Sequence, residues 1–208
     1  MTPYSESIDE DVLKEQLQIK LKDVIRHSIC VSNMGYYVAK ELGMPQNECY
    51  DIAVAGMMHD IGKIPLVRYM NENSDEEYSV KDMRYMRMHS KLSYDILKNA
   101  GYSKVVLDAI LYHHENYDGT GYPGNLYGEN IPVEARILRV CDVFSALISD
   151  RAYRSAFDVD TAVEMMIDEI ENFDMKIFLA FQRVVHEVDI EKIMGNKPIR
   201  GKDDMKNG

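Results

Sequence analysis

The chain has 208 residues, 46% apolar and 28% charged, a balance that suits one ordinary globular domain with a buried core. Its 24 basic side chains stand against 35 acidic ones, and the net charge of −11 excludes a general DNA-, RNA- or anionic-membrane-binding surface. No apolar run approaches the ~20 residues of a membrane span. The start is polar rather than a signal peptide, and the three cysteines, Cys30, Cys49 and Cys141, show no paired spacing, so the expected setting is a reducing cytoplasm.

The pattern is helical nearly throughout. Leu13, Leu17, Leu21, Val24, Ser28, Val31, Gly35, Val38 and Leu42 recur at three- and four-residue steps. They predict one long amphipathic helix, ended by Gly43 and Pro45. A second helix is expected over 47–60, with Ile52, Ala53, Gly56 and Met57 inward and Gly62 as its stop. Residues 68–82 are polar and acidic and read as a mobile loop. Further helices are expected over 82–99 and 103–115.

Residues 116–131 hold four glycines and Pro123, too many turn formers for a helix. Pro132 starts the next helix, which runs toward Ser149. Asp158 or Asp160 caps another through Phe173, and Asp174 caps the last, through about Val188. The organisation expected is an N-terminal segment 1–10, a single all-α domain over 11–195 and a polar, disordered tail over 196–208.

Two motifs carry chemistry. His59-Asp60-Ile61-Gly62-Lys63 sets a histidine–carboxylate pair beside a lysine. Residues 113–123 read His-His-Glu-Asn-Tyr-Asp-Gly-Thr-Gly-Tyr-Pro. Two adjacent histidines and two carboxylates running into this turn suggest a multinuclear metal site beside a shaped substrate loop. His27, His89 and Asp142 each face inward by helical phase, and a buried aspartate needs a cation or a hydrogen-bond network.

Each of these residues has a plainer role open to it. The histidines could be core residues bonded to carbonyls, Asp23 a solvated helix carboxylate, and Arg139 a structural ion partner of Asp142. Of the six histidines, only His186 looks ordinary. Imidazole and carboxylate without thiolate suit iron, manganese, zinc or cobalt better than a structural zinc site. The cysteines read as small core residues. Gly119 and Gly121 allow close backbone approach to a ligand, Tyr122 offers a ring for stacking, and Arg151 and Arg154 could clamp phosphates.

Residues 23–181 resemble the HD-GYP domain, a branch of the HD phosphohydrolases. The resemblance rests on the two motifs above, on Ile131 through Leu138, on Asp142-Val143-Phe144 and on Asp150-Arg151-Ala152-Tyr153-Arg154. Ser145, Ala152 and Cys141 depart from the residues common at those places.

The resemblance implies an all-α helical bundle of the HD-domain type with a glycine-rich GYP loop. It implies phosphodiesterase activity on cyclic di-GMP, giving linear pGpG and in some members GMP. It implies two divalent metal ions, iron or manganese, ligated by His27, His59, Asp60, His89, His113, His114 and Asp142, with Asp60 bridging. A third ion would use Asp23, a shorter acid than the glutamate found there in some members.

By the same resemblance Lys63, Arg151 and Arg154 contact phosphates, while Gly121, Tyr122 and Pro123 shape the substrate pocket. A water activated by the paired metals would attack phosphorus in line with the leaving 3′ oxygen. Another cyclic dinucleotide or nucleotide as substrate, and a binding module without turnover, remain open. So do a homodimer, an upstream signalling partner, and the choice between a stand-alone enzyme and an excised domain.

Overall fold

The computed structural model describes residues 10–66, 86–150 and 154–195, with side chains in the first helix from residue 21 onward. The expected loop at 68–82 and the tail at 196–208 lie outside the described residues. Among those described there is no strand, and eight α-helices follow one another. They are α1 (Glu10–Glu41), α2 (Gln46–Met58), α3 (His89–Leu97), α4 (Lys104–Tyr112), α5 (Val133–Leu147), α6 (Val159–Asp168), α7 (Met175–Glu187) and α8 (Ile190–Ile193).

The bundle is organised around α5, which buries Ala135, Ile137, Leu138, Val140, Cys141, Asp142, Phe144 and Ser145. No residue of α5 is exposed, as befits a helix inside a bundle. α1, α2, α4, α6 and α7 all pack against it. Phe144 meets Phe181 of α7 edge-on, with ring centroids 5.0 Å apart.

α1 and α2 form an antiparallel hairpin, closed by Gly43 in the left-handed conformation (φ 74°). Gly56 makes the close crossing: a Cβ there would lie 2.9 Å from the backbone of Ser32. The Ser32 hydroxyl donates to the Ala53 carbonyl across the same crossing.

Helix starts follow the caps read from the sequence. Asp158 accepts the Thr161 N–H and Asp174 accepts those of Lys176 and Ile177. Other expectations are corrected. α2 stops at Met58, because the Gly62 N–H turns to the Ser93 hydroxyl and the helical path resumes only at 63–66. α6 ends at Asp168, with a separate 3-10 turn at Ile170–Asn172.

α8 was not anticipated; its Ile193 is fully buried, and Asn33 donates to the Lys192 and Ile193 carbonyls. Met57 and Leu21, expected inward, are 39% and 41% exposed. Among the described side chains of α1, the first buried one is His27.

Gly56→Val would push a branched side chain into backbone that cannot move aside. A cost of about 3 kcal/mol is expected, read as a drop of roughly 6–12 °C in the thermal midpoint. An unchanged melt would show that the α1–α2 crossing can slide.

Candidate metal centre

The ends of three helices and the faces of two others deliver the site. His59 and Asp60 follow α2, His89 opens α3, His113 and His114 follow α4, and His27 and Asp142 lie on α1 and α5. All are buried except His114, which is nearly so.

His59 and His113 each donate from Nδ1 to a carbonyl three residues earlier, Gly56 and Ile110, at 2.7 Å. His89 does the same with Met86. A bond of this kind fixes ring and tautomer and leaves the Nε2 lone pair as donor to a cation.

Those Nε2 atoms converge. His89 Nε2 lies 3.2 Å from His113 Nε2 and 3.0 Å from His114 Nε2. Two adjacent donors of one octahedral ion, each at ~2.1 Å, would sit about 3.0 Å apart. On the other side, His27 Nε2 is 2.9 Å and His59 Nε2 3.8 Å from Asp142 Oδ1.

Asp60 lies between the two groups. Its Oδ2 is 3.4 Å from His59 Nε2 and 3.7 Å from His27 Nε2, while its Oδ1 is 3.3 Å from His89 Nε2. Three sets of residues have ligand atoms close enough to hold an ion: His89–His113–His114, His27–His59–Asp142 and His59–Asp60–His113. Buried His59 Nε2 and Asp60 Oδ1 make no hydrogen bond. Converging lone pairs and unpartnered buried atoms fit divalent cations.

Charge reinforces that fit. Burial works against ionisation of Asp60, but His59, Lys63 and His27 outweigh it and hold the carboxyl well below its usual range. Asp142 is likewise held down, against its burial, by His27, His59 and His114. Burial pulls His59 down, yet Asp60 and Asp142 win and push it up to about 10. Burial and neighbouring positive charge push His113 and His89 down, and His114 down to about 3.

The remaining expected residues divide. The Lys63 ammonium pairs with Asp60 Oδ2 at 2.6 Å and is 20% exposed at the rim. Tyr122 stacks on His114, with ring centroids 4.8 Å apart and planes 24° apart, and its N–H donates to the His114 carbonyl. Gly121 allows this, since a Cβ there would strike the Asn116 nitrogen at 2.2 Å. Pro123 follows, exposed.

Arg154 is held by the carbonyls of Ala146, Leu147 and Ser155 at the end of α5. Arg151 lies outside the described residues. Asp23 is exposed and in none of the three groups. Arg139 bonds Asn116, not Asp142.

Glu115 and Asp118, first read as metal-site carboxylates, are corrected to loop builders. Buried Glu115 accepts the N–H groups of Gly124 and Leu126, and Asp118 accepts the N–H and hydroxyl of Thr120.

The sequence reading also missed the part played by Ser93. Its buried hydroxyl donates to the His59 carbonyl at 2.6 Å and accepts the Gly62 N–H at 2.9 Å. It thereby joins the His-Asp turn to the helix that carries His89. Its inward phase beside His89 was the available signal. Gly62 is needed here, since a Cβ would lie 2.3 Å from the His89 carbonyl oxygen.

Two predictions follow from this geometry. Glu115→Gln removes one acceptor from two N–H groups, so exchange at Gly124 and Leu126 should quicken and stability fall by about 1–3 kcal/mol. Unchanged amide exchange would remove Glu115 from the loop.

In chelator-treated protein, stability should peak near neutral pH. His89, His113 and His114 stay neutral in the fold but take protons when unfolded, so stability falls as pH drops through about 6.5. Asp60 and Asp142, depressed in the fold, add their loss below about 3.8. His59 acts in the opposite sense: its contribution is complete below 6.5 and disappears as pH rises toward about 10. Thermal melts across pH test this, and His59→Gln should remove the alkaline arm.

A family model for the HD domain matches residues 11–177. The cyclic di-GMP phosphodiesterase response regulator RpfG of Xanthomonas campestris pv. campestris is 37% identical over 135 residues, 64% of this chain and 35% of its own length. The cyclic di-GMP phosphodiesterase PA4108 of Pseudomonas aeruginosa is 33% identical over 164 residues, 76% of this chain and 38% of its own. The chain thus spans little more than a third of these relatives.

Among solved structures, the cyclic GMP-AMP specific phosphodiesterase V-cGAP3 of V. cholerae superposes with a TM-score of 0.61 at 17% identity, over 88% of this chain and 53% of that one. That likeness concerns the fold, and the fold agrees with the all-α bundle expected from the sequence. The matched stretch contains the His59-Asp60 turn and every other residue of the centre, and the chain belongs to the HD domain family.

Proposed function

We propose that the chain is a metal-dependent phosphodiesterase that hydrolyses cyclic di-GMP to linear pGpG. The observation that carries this reading is the placement of Asp60, one oxygen toward His27 and His59 and the other toward His89. That is the arrangement of a carboxylate shared between two ions. The relatives' names supply the substrate. A donor set of nitrogen and oxygen without thiolate suits iron or manganese. The reading uses two ions rather than three, because Asp23 stands apart from the groups.

When bound, such ions supply Lewis acidity toward phosphate and lower the pKa of the attacking water. The protein's own residues do the rest. The backbone-anchored imidazoles hold ligand geometry without rearrangement during the reaction. Lys63, at the rim, passes from Asp60 to the phosphoryl oxygens and offsets charge that grows there. The Gly121-Tyr122-Pro123 turn, stapled by Glu115, forms the wall beside His114.

Three buried free thiols fit a reducing cytoplasm. No described helix is long and apolar enough to cross a membrane. The exposed Leu21 and Ile25 of α1 mark where a second copy or an upstream signalling partner would join.

Asp60→Ala should abolish turnover and lower the metal content, whereas Lys63→Ala should keep the metal and slow turnover by about 10²- to 10³-fold. Anaerobic purification, metal analysis and chromatography of the products check both. Full activity in metal-replete Asp60→Ala would sink the scheme. Bound metal in the wild type without turnover of any cyclic dinucleotide would favour a sensor.

A further inference from the structure

A cleft of about 430 Å³ opens beside Asp142, lined by Arg139, Val143, Leu147, Arg154 and Phe157 among others. Its position follows from helical spacing. Arg139, Asp142, Val143 and Ala146 lie three and four residues apart on α5, so one face of the helix carries a ligand of the metal centre and the cleft floor.

The two guanidinium groups in the cleft are not equivalent. Arg154 is spent: it donates to three carbonyls and lies 4.2 Å over the Phe157 ring, which makes it part of a flat wall. Arg139 makes one hydrogen bond, from Nε to Asn116 Oδ1 at 3.0 Å, and its guanidinium lies 5.9 Å from the centre of the Phe173 ring. Its two terminal nitrogens have no hydrogen-bond acceptor among the described residues. Asn116 follows the His113-His114-Glu115 run directly, so the same bond ties Arg139 to the centre.

We infer that this cleft is a guanine subsite and that Arg139 reads the base, an inference that rests on the phosphodiesterase reading above. A guanidinium fork presents two parallel donors, and the guanine edge offers two acceptors, O6 and N7, at matching separation. Adenine offers N7 but sets its own amino donor against the second nitrogen, so it is disfavoured. The flat, mainly apolar walls suit a base rather than a phosphate. The space is ample for one nucleoside, and Asp142 in its lining brings the adjoining phosphate to the metal centre. Arg139 thereby chooses between guanine- and adenine-containing cyclic dinucleotides.

The test uses the metal-loaded full chain and its Arg139→Met and Arg139→Lys variants, with cyclic di-GMP and cyclic di-AMP as substrates. The wild type should favour cyclic di-GMP. Both variants should lower the ratio of the two kcat/KM values by about 10- to 100-fold, mainly through KM, at unchanged metal content. The lysine keeps the charge and loses the fork.

An equal loss on both substrates would make Arg139 a phosphate or structural contact and overturn the inference. Full selectivity in Arg139→Lys would overturn it too. Binding of GMP against AMP to the same three proteins separates this inference from the proposed activity. A GMP preference that disappears in Arg139→Met supports the subsite even if no dinucleotide is cleaved, and no preference in the wild type refutes it.

Discussion

Two ionised carboxylates buried away from water, Asp60 and Asp142, set the terms for everything around them. An isolated buried carboxylate would simply take up a proton. These two are kept charged by three imidazoles, those of His27, His59 and His114, and by the Lys63 ammonium. The same charges decide the imidazoles' own states. His59, facing both acids, is drawn toward the protonated form, while His113 and His114 are kept neutral by burial and by neighbouring positive charge. One pair of acids thus sorts chemically identical side chains into different roles.

Precision at the centre comes from small groups rather than from the ligands themselves. The His59, His89 and His113 rings are aimed by carbonyls of their own chain segments. Two motifs far apart in sequence are then fastened by single side chains, the His-Asp turn by the Ser93 hydroxyl and the Gly-Tyr-Pro loop by the Glu115 carboxylate. The first satisfies a buried backbone donor and the second two part-buried ones, none of them served by a helix. The glycines at 62 and 121 matter because backbone passes where a Cβ would have to be.

Much of this was legible in the sequence, and what was not has identifiable causes. Helical phase placed His27, His89 and Asp142 inward, because periodicity reports which way a residue faces. It does not report how far a neighbour extends along that face, so Leu21 and Met57 were read as core and stand in solvent. Glu115 and Asp118 resemble ligands by composition; only the path of the loop shows that backbone N–H groups claim them first. Arg154 sits where its spacing suggested, but its guanidinium is taken by carbonyls at a helix end, a partnership no linear pattern displays. α8, at four residues, is too short to leave a period at all.

The bond between His27 and Asp142 spans 115 positions of the chain. Every other ligand-forming residue of the centre lies between these two. No shorter fragment can therefore assemble the whole cluster, although the His89–His113–His114 group lies within residues 89–114 and closes over a much shorter loop. Ordered metal capture is tied to the closing of the longest loop in the site, a late event wherever distant contacts must wait for chain entropy to be overcome. The group that contains His27 and Asp142 consequently exists only in the mature fold, which makes its metal occupancy a measure of how completely a population has folded.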